Sequence, residues 1–511
     1  MRTIIVGAGS AGAVIAARLT ESALHEVILL EAGPDYPDAS AHPETLPADL
    51  RDGCQNSLLA HDWGFRYRAT GDKFWSALPM DFPRGRVVGG SSAVNTCIAL
   101  RGQPFDYDEW ASRGLPEWAW KECLPAFKRI ETDLDFDNEW HGRQGPIPIR
   151  RHTSNELVEW QAAFLEACAD VGMPRARDTN DPTTTGAGPH AMNKINGTRM
   201  SAARCYLTRA VRERPNLTIV DHAVARRVLV KNGKATGVEI ERFGRVCEIF
   251  GDRVVVSAGA IATPGILLRS GIGPRDEVAR LGAELMSDVP GIGAQLLDHP
   301  GVAVFFLPRR SGMARVDHPL IQTVCRYTSE ASACANDIQL QPGSFIPIPR
   351  FPIPLVTLAA CLGKPRSVGR LRFRSARPLD APVITANLLA DEDDRARMRE
   401  ALMWIGRLAQ TKAVTERARP IYPSRRPWTS EGAFARSLYQ ITGSGYHPCG
   451  TVPMGADSDA LAATDGRGRV RGVRSLVVAD ASLMPTIPSA NTNLPTLMIG
   501  ERFGVWLRER D

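Results

Sequence analysis

The first twenty residues constrain the fold more than any other part of the sequence. Residues Thr3–Val6 form an unbroken run of β-branched side chains, which is typical of a strand buried on both faces of a parallel sheet. The glycine-rich segment Gly7-Ala-Gly-Ser-Ala-Gly12 follows at once, and small and aliphatic residues continue in helical spacing from Ala13 to Thr20. The order strand, glycine turn, helix predicts an α/β domain of the Rossmann type.

The spacing of the three glycines indicates a dinucleotide site at this turn. Gly7 permits the tight turn, Gly9 leaves room for a pyrophosphate at the helix N-terminus, and Gly12 lets helix and strand pack closely. A second predicted strand, Glu26–Leu30, ends at Glu31. The carboxylate of Glu31 is placed to accept a hydrogen bond from a ribose hydroxyl.

This motif leaves open which dinucleotide binds. Two further glycine pairs, Gly271-Ile-Gly273 and Gly466-Arg-Gly468, do not follow predicted buried strands, so we expect no second Rossmann unit. A single NAD site would make the chain a plain dehydrogenase. A single FAD site would require electrons to enter from an organic substrate and to leave to oxygen or another carrier.

Later segments predict more strands of the same sheet. Residues Pro83–Asn95 join two arginines to a run of glycines and serines, a composition that can cradle a diphosphate but that also suits an exposed loop. Asp252–Ser257 and Ser475–Val478 are predicted strands, each followed by a turn of small residues. The nucleotide-binding lobe is therefore expected to draw on both ends of the chain.

Composition and charge exclude several classes of protein. The 511 residues carry a net charge of +6, too small an excess for the concentrated positive field of a nucleic-acid-binding protein. No apolar run reaches the length of a membrane-spanning helix, and no secretion signal is predicted at the start. Ten scattered cysteines predict reduced thiols and a cytoplasmic location. The scattered histidines lack metal-ligand spacing, so no metal site is expected.

Five motifs occur in order along the chain. They are Gly7-x-Gly9-x-x-Gly12 with Glu31-Ala32-Gly33, Arg86-Val-Val-Gly-Gly-Ser-Ser-Ala-Val-Asn95, Ser257-Ala-Gly-Ala-Ile-Ala-Thr-Pro264, His447-Pro-Cys-Gly-Thr451 and Pro488-Ser-Ala-Asn-Thr-Asn493. In this order they resemble the glucose-methanol-choline (GMC) oxidoreductases, FAD-dependent enzymes that oxidise alcohols. Within that family, Asp106–Trp110, His141–Pro148 and Pro488–Met498 are most similar to bacterial alcohol oxidases for furanic substrates.

The resemblance implies an α/β fold of two lobes. A discontinuous Rossmann-type FAD-binding domain would comprise residues 1–155, 203–300 and 440–511, and an α+β substrate-binding domain with an antiparallel sheet would comprise residues 156–202 and 301–439. The alternating pattern Asp337-Ile-Gln-Leu-Gln341 predicts one strand of that sheet. A helical stretch, Glu156–Val171, is followed by a polar loop, Thr179–Gly197, that is expected to cover the cofactor entrance.

Alcohol oxidation by a flavin requires a base, because the hydroxyl proton leaves as a hydride passes from carbon to flavin N5. His447 lies in the glycine-flanked loop Gly443–Thr451, where an imidazole can face a cavity, although a lone loop histidine is often structural. The family's catalytic histidine falls on His447, and its second catalytic position falls on Asn491. The Asn491 amide can hold the substrate oxygen, but an asparagine after proline also favours an Asx-turn.

The resemblance also implies which residues contact FAD. The expected set is Gly7, Gly9, Ser10, Ala11, Gly12, Glu31, Ala32, Arg86, Val88, Gly90, Ser91, Asn95, Thr96, Val224, Ala258, Asp480, Ala481, Asn491 and Thr492. Asn95 and Thr96 would lie near the reactive end of the flavin, and Val224 near the adenine. Some members attach FAD through a histidine where this chain has Val94, so we expect noncovalent FAD.

Gln339, Gln341 and Tyr446 are expected to contact the substrate beside His447. The two glutamines share one face of the predicted strand, a position that also suits solvent contact. A quaternary ammonium substrate such as choline usually needs an aromatic cage with a carboxylate, and the sequence has no local cluster of that kind. We therefore expect a neutral primary alcohol, aromatic or furanic, to be oxidised to the aldehyde.

Several alternatives stay open from the sequence. One is a choline-type or other dehydrogenase that passes electrons to an acceptor other than oxygen. A flavin lyase or photoenzyme on the same scaffold, or a noncatalytic FAD-binding protein, is opposed by the presence of His447 and Asn491. The oligomeric state is undefined. The other histidines are interpreted as structural or surface residues: His25, His42, His61, His141, His152, His190, His222, His299 and His318.

Overall fold

Two large sheets, one parallel and one antiparallel, organise the chain. They are seen in a computed structural model that describes residues 1–40, 42–57, 60–70, 79–330, 332–346, 354–422, 438 and 441–509. The α/β class and the presence of an antiparallel sheet, both predicted from the sequence, are confirmed.

Five strands form the parallel sheet within the described residues. Their bounds are β1 Arg2–Val6, β2 Glu26–Leu30, β10 Leu217–Val220, β14 Arg253–Val256 and β25 Leu476–Val478, and their order across the sheet is β10-β2-β1-β14-β25. Ile4 of the central strand pairs with Ile28 on one side and Val254 on the other. The strand is buried from Thr3 to Val6, so an unbroken apolar run, rather than alternation, is the correct sequence signal here.

A three-stranded antiparallel meander stands beside this sheet. It comprises β11 Val224–Lys231, β12 Lys234–Arg242 and β13 Arg245–Phe250. The first hairpin turns at Asn232 and Gly233, whose φ angles of 52° and 67° are those of a tight two-residue turn that asparagine and glycine tolerate. The meander presents Val224, its first residue, next to the end of the parallel sheet.

The large antiparallel sheet collects strands from the second half of the chain and one from the first. The bounds are β7 Gly186–Pro189, β17 Pro300–Pro308, β18 Thr323–Tyr327, β19 Ile338–Gly343, β20 Val356–Leu362, β23 Ala418–Tyr422 and β24 Thr442–Ser444. Their order is β23-β17-β20-β19-β18-β7, with β24 paired to β17. Strand β19 confirms the strand predicted at 337–341. Strand β7 shows that part of the loop predicted at 179–197 is an edge strand of this sheet.

Alternation along β17 and β20 gives this sheet two different faces. Val304, Phe306 and Leu358 are buried in a hydrophobic core of their own. Phe305 and Ala359 alternate with them and point the other way, towards the cavity described below. One face of the sheet therefore packs against a hydrophobic core, and the opposite face is available for a ligand.

Shorter strands complete the sheet structure. They are β3 Arg66–Arg68, β4 Met80–Asp81, β5 Glu131–Asp133, β6 Ile147–Ile149, β8 Lys194–Ile195, β9 Thr198–Arg199, β15 Ile272–Gly273, β16 Ser287–Asp288, β21 Arg370–Arg372 and β22 Val383–Thr385. The α-helices are α1 Ser10–Leu19, α2 Ala48–Arg51, α3 Pro104–Ser112, α4 Trp120–Ile130, α5 Glu159–Asp170, α6 Ala202–Tyr206, α7 Arg209–Arg212, α8 Gly259–Arg269, α9 Arg275–Arg280, α10 Glu392–Leu408, α11 Lys412–Thr415 and α12 Asn493–Trp506. Helix α5 confirms the helical stretch predicted at 156–171.

The first and last helices pack tightly against each other. A Cβ atom on Gly500 would come within 2.9 Å of the Val14 Cβ, and one on Gly504 within 2.7 Å of the Arg18 Cβ. At the start of both helices, the Ser10 hydroxyl donates to the Asn493 side-chain oxygen at 2.8 Å. The two ends of the chain therefore meet where the nucleotide site is predicted.

The division into two lobes stays a prediction at the level of boundaries. Strand β24 lies in the segment assigned to the FAD-binding lobe, yet it pairs with β17 of the antiparallel sheet. The predicted boundary between residues 439 and 440 lies outside the described residues. Among the described residues, none of the helices has the length and apolarity needed to cross a membrane.

Candidate active site

A cavity of about 660 Å³ lies between the two sheets. The parallel sheet contributes the turns at the carboxyl ends of its strands, including Gly7, Glu31, Ala258 and Asp480. Ligands of open parallel sheets bind at this edge, because the turns there present main-chain N–H groups and helix N-termini. The antiparallel sheet closes the cavity with one of its faces.

Two glycine turns touch each other on the cavity wall. Gly7 has a φ of 98°, and a Cβ there would lie 2.5 Å from the Ser257 carbonyl oxygen. A Cβ on Gly90 would lie only 2.7 Å from the Gly9 Cα. Glycine is therefore required where the two turns meet, and the N-terminus of α1 is left open to an anionic group.

Glu31 is buried at the end of β2 with its carboxylate already ordered. It accepts hydrogen bonds from the main-chain N–H groups of Ala8 at 3.1 Å and Gly33 at 2.9 Å. Burial raises the pKa of Glu31 to about 7, against the opposing effect of these donors. A further donor, such as a ribose hydroxyl, would favour the charged form.

Most of the residues predicted to contact FAD line this cavity. They are Gly7, Gly9, Ser10, Ala11, Glu31, Ala32, Gly90, Ser91, Asn95, Thr96, Val224, Ala258, Asp480, Ala481, Asn491 and Thr492. Gly12, Arg86 and Val88 are described but lie outside the wall. Gly12 packs helix α1 on the turn, because a Cβ there would sit 1.9 Å from the Gly7 carbonyl oxygen. The Arg86 guanidinium lies over the Trp63 ring at 5.1 Å.

His447 and Asn491 come together on the same wall. The Asn491 Nδ2 lies 2.9 Å from the His447 Nε2, and the His447 Nδ1 lies 2.9 Å from the His299 Nδ1. The Asn491 Oδ1 is buried and has no hydrogen-bond partner. The pair predicted from the sequence is thus assembled, and it leaves one acceptor unused beside the imidazole.

The surroundings of His299 determine which nitrogen of His447 carries the proton. The His299 Nε2 faces the carbonyl oxygens of Gly363 and Pro488, each at 3.0 Å, and must donate to them. In neutral His299 the Nδ1 is then an acceptor, so His447 donates from its own Nδ1. The lone pair of His447 therefore sits on Nε2, facing Asn491 and the cavity.

The imidazole of His447 is held in its neutral form. Burial lowers the pKa of His447 well below the usual value, and the nearby His299 and the positive charge of Arg84 lower it further. Burial also lowers the pKa of His299 to about 4. Both rings are neutral at physiological pH, so the His447 Nε2 carries a lone pair, which accepts from the Asn491 amide in this structure and can instead take up a proton.

The predicted substrate residues divide between cavity and core. Gln341 and Tyr446 line the cavity, and the Gln341 Oε1 is buried without a hydrogen-bond partner. Gln339, on the same strand face, is 3% exposed, is not part of the described wall, and donates to the Ser489 carbonyl oxygen at 3.3 Å. Gln341, whose amide lies next to the His190 ring, is therefore the glutamine of this strand that can reach a ligand in the cavity.

Three acidic side chains lie on the described wall of the cavity. The wall contains Glu31, Asp380 and Asp480. The Asp480 carboxylate accepts from the Gly259 and Ser482 N–H groups and from the Thr263 hydroxyl. Glu31 and Asp480 are therefore already held by the protein's own donors, and Asp380 lies 3.9 Å from Arg377.

Three residues that surround His447 were not predicted from the sequence to lie there. His299 was interpreted as structural or surface, yet its ring contacts His447. Asp298 accepts from the His447 N–H at 2.9 Å, and Arg84 donates to the Tyr446 carbonyl oxygen at 2.7 Å. No spacing links residues this far apart along the chain, so only the fold reveals the cluster.

A separate buried cluster brings Glu131, Asp133 and His141 within reach of a common point. Arg101 and Arg151 form ion pairs with these carboxylates. Despite burial, the hydrogen bonds that His141 makes with Asp133, Asp178 and Glu131 raise its pKa to about 10. A protonated histidine between arginines is a structural ion-pair network, in agreement with the structural interpretation of His141.

Comparison with known proteins gives consistent matches along the chain. Models of the N- and C-terminal parts of GMC oxidoreductases match residues 1–301 and 365–500. The 5-(hydroxymethyl)furfural oxidase of Methylovorus sp. (strain MP688) is 34% identical, covering 98% of this chain and 97% of that protein. The oxygen-dependent choline dehydrogenase of Photobacterium profundum is 30% identical, covering 98% and 91%. The crystal structure of pyridoxine 4-oxidase from Mesorbium loti matches with a TM-score of 0.90 at 28% identity, covering 100% and 99%.

Proposed function

The chain belongs to the GMC oxidoreductase family, and on this premise we propose that it oxidises a neutral primary alcohol, aromatic or furanic, to the aldehyde. It is an FAD-dependent oxidoreductase acting on CH–OH donors. The observation that carries the proposal is the pairing of a neutral His447 with Asn491 on the cavity wall, where the Asn491 Nδ2 lies 2.9 Å from the His447 Nε2 and the Asn491 Oδ1 has no hydrogen-bond partner.

The cavity residues around Gly9, Gly90 and Glu31 fit FAD. Gly9 and Gly90 leave a cradle that side chains would fill, next to the N-terminus of α1. Glu31 offers acceptors for a ribose, and Val224 lines the far part of the wall. Val94 also lines the cavity and has no nucleophilic atom, so we propose that FAD is held noncovalently.

His447 and Asn491 have different tasks in the proposed reaction. The Nε2 of His447 accepts the hydroxyl proton, and its Nδ1–H stays bonded to His299. The Asn491 amide orients the substrate oxygen and stabilises the negative charge that develops there. When bound in this cavity, FAD would supply the acceptor for the hydride that leaves the alcohol carbon.

The wall chemistry favours an uncharged substrate. Phe305, Phe345 and Tyr446 give apolar surface, and Gln341 gives one free acceptor. Arg84, on the same wall, would repel a quaternary ammonium group. A choline-type substrate is the second candidate, because the chain is 30% identical to an oxygen-dependent choline dehydrogenase.

The electron acceptor we propose is oxygen. The relatives compared above include an oxidase at 34% identity and an oxygen-dependent dehydrogenase at 30% identity. The ten cysteines are all free thiols, which supports the proposal of a reducing, cytoplasmic location.

One experiment tests this function. The purified protein is mixed without oxygen with 5-(hydroxymethyl)furfural, benzyl alcohol or choline, and flavin absorbance is followed before and after admission of air. We expect bleaching by the first two alcohols, no bleaching by choline, and recolouring in air. His447→Ala should slow bleaching about 10²- to 10⁴-fold, whereas exposed His42→Ala should not change it.

Each opposite result would contradict one part of the proposed function. Undiminished bleaching in His447→Ala would show that His447 is not the base. Bleaching by choline alone would favour the second candidate, and a reduced flavin that stays bleached in air would replace oxygen by another acceptor. Flavin that remains with the denatured polypeptide would disprove noncovalent binding.

A further inference from the structure

The peptide group that joins Tyr446 to His447 is held from both ends. Its carbonyl oxygen accepts a hydrogen bond from Arg84 Nη2 at 2.7 Å. Its N–H donates to Asp298 Oδ1 at 2.9 Å. The C=O and N–H of a trans peptide point in opposite directions, so a cation and an anion grip the same peptide from opposite sides.

The backbone before this peptide adopts an unusual conformation. Tyr446 has a φ of 63°, a region that residues with a Cβ rarely occupy and that persists only where the surroundings impose it. A Cβ on Gly445 would lie 2.9 Å from the His447 Nδ1, so the chain needs glycine at that position. The direction of the His447 ring therefore depends on what holds residues 445 and 446.

Asp298 organises the inner side of this loop. Besides the His447 N–H, its carboxylate accepts from the His299 N–H at 2.8 Å and from the Ser444 hydroxyl. The Ser444 oxygen in turn accepts from the Tyr446 N–H at 2.7 Å. One carboxylate thus fixes the loop both before and after the strained residue.

Arg84 organises the outer side. Its guanidinium lies over the Phe82 ring at 5.3 Å, and its hydrogen-bond acceptors among the described residues are the carbonyl oxygens of Pro83 and Tyr446. Desolvation lowers the pKa of Arg84 to about 10, which still leaves it charged at neutral pH. A cation placed against carbonyl oxygens, rather than a carboxylate, is expensive to desolvate, and here one of those oxygens belongs to the peptide that carries His447.

We propose that Arg84 and Asp298 are positioning residues that clamp the Tyr446–His447 peptide and so aim the His447 Nε2 at the substrate hydroxyl. The inference rests on the proposed role of His447 as the base. The groups that face His447 are His299 and Asp298 from the segment before β17, Arg84 from the segment Pro83–Asn95, Tyr446 from its own loop and the uncharged Asn491.

The test compares rates of anaerobic flavin reduction by 5-(hydroxymethyl)furfural. Arg84→Met should lower the limiting rate about 100-fold, the usual effect of a small misplacement of a reacting group, with little change in the dissociation constant of the alcohol or in FAD content. Arg84→Lys should recover much of the rate, because it restores a charged donor. Asp298→Asn should be milder than Asp298→Ala, because the amide oxygen can still accept from the His447 N–H.

A matched control separates positioning from general stability. Arg502 is also stacked on an aromatic ring, that of Trp118, and donates to the main-chain carbonyls of Glu117 and Glu122, but it is not part of the described cavity wall. Arg502→Met should lower the melting temperature without lowering the rate of flavin reduction. An equal loss of rate in Arg502→Met would overturn the clamp.

Nuclear magnetic resonance of ¹⁵N-histidine gives a readout that needs no bound flavin. In apoprotein, Arg84→Met should raise the pKa of His447 and shift its ring resonances, assigned by their loss in His447→Ala. Unchanged His447 resonances, or wild-type reduction rates in Arg84→Met, would overturn the proposal. If His447→Ala itself reduces flavin normally, the base assignment fails instead.

Discussion

The parallel and antiparallel sheets line the same cavity with different parts of themselves. The parallel sheet uses the ends of its strands, where Gly7, Gly9 and Glu31 present main-chain groups and one carboxylate. The antiparallel sheet uses one face, where Phe305 and Gln341 present side chains. A site made of strand ends depends on backbone shape, whereas a site made of a sheet face depends on which side chains alternate towards it. Changes at the two sheets should therefore affect FAD and the alcohol separately.

The largest expected effect comes from filling the backbone cradle at Gly9. The nearest atom to a Cβ at this position is the Gly90 Cα at 3.8 Å, so Gly9→Ala should leave the apoprotein folded. The methyl group would occupy space needed by the pyrophosphate, and an overpacked methyl typically costs about 1–3 kcal/mol. FAD affinity should fall about 10- to 100-fold, measured by fluorescence titration of apoprotein.

Gly12→Ala provides the contrast for this prediction. Its Cβ would lie 1.9 Å from the Gly7 carbonyl oxygen, so this variant should lose thermal stability as apoprotein, measured by circular dichroism. Equal melting temperatures for Gly12→Ala and the wild type would show that the turn has room for a methyl group at residue 12. A loss of stability in Gly9→Ala would show that its effect on FAD is indirect.

This difference between the sheets also explains what the sequence revealed. Gly7, Gly9 and Glu31 lie within a single strand-turn-helix-strand unit, so their spacing is visible in a short stretch of sequence and predicts the site. The residues around His447 come from distant segments, and only the tertiary fold brings Arg84 and His299 to the loop that carries it. The family resemblance pointed to His447 because its motif is local, whereas residues that reach His447 only through tertiary contacts have no such motif.

The two glutamines of β19 show the same limit on what a short stretch of sequence can predict. Alternation correctly placed Gln339 and Gln341 on one face of β19, because side-chain direction repeats every two residues. It could not show that the Gln339 amide is used by the Ser489 carbonyl oxygen, which comes from a turn 150 residues away along the chain. The alternation of side chains predicts which side of the strand a residue faces, and the partner that the tertiary fold brings to that side decides its role.

A change of intermediate size in FAD affinity is expected from the ionisation of Glu31. Burial raises the pKa of Glu31 to about 7 in the described state, and hydroxyl donors from the ribose would favour the carboxylate, so FAD binding should release a proton. FAD affinity should therefore rise with pH up to about 7 and level off above it, by at most about tenfold per pH unit. Titrations of apoprotein with FAD between pH 5.5 and 8, about the window set by this pKa, measure the slope.

Glu31→Gln is the control for this pH dependence. The amide keeps an acceptor but cannot ionise, so the variant should bind FAD more weakly and with a flat pH profile between about pH 5.5 and 8. A slope that persists in Glu31→Gln would assign the proton to another group. By the same linkage, the folded apoprotein of the wild type loses stability as pH rises through about 7, because the raised pKa favours the protonated form.

The smallest expected effect tests the face of the antiparallel sheet. Gln341 has a buried Oε1 without a partner and lines the cavity, so Gln341→Leu should remove one hydrogen bond to the alcohol. One such bond is worth about 0.5–1.5 kcal/mol, which corresponds to a loss of roughly 2- to 12-fold in kcat/KM for 5-(hydroxymethyl)furfural. FAD affinity should stay unchanged, because the parallel sheet supplies that site.

Two comparisons show whether the loss of kcat/KM in Gln341→Leu comes from a lost contact with the substrate. Furfuryl alcohol lacks the aldehyde group of 5-(hydroxymethyl)furfural, so an equal loss with both alcohols would place the contact at the reacting hydroxyl, and a loss with 5-(hydroxymethyl)furfural alone would place it at the second polar group. Gln339→Leu removes the bond to Ser489 and should lower the melting temperature without changing the ratio of the two alcohols. If Gln341→Leu weakens FAD binding as strongly as Gly9→Ala, the separation of tasks between the two sheets is wrong, because a side chain on the sheet face would then be part of the nucleotide site.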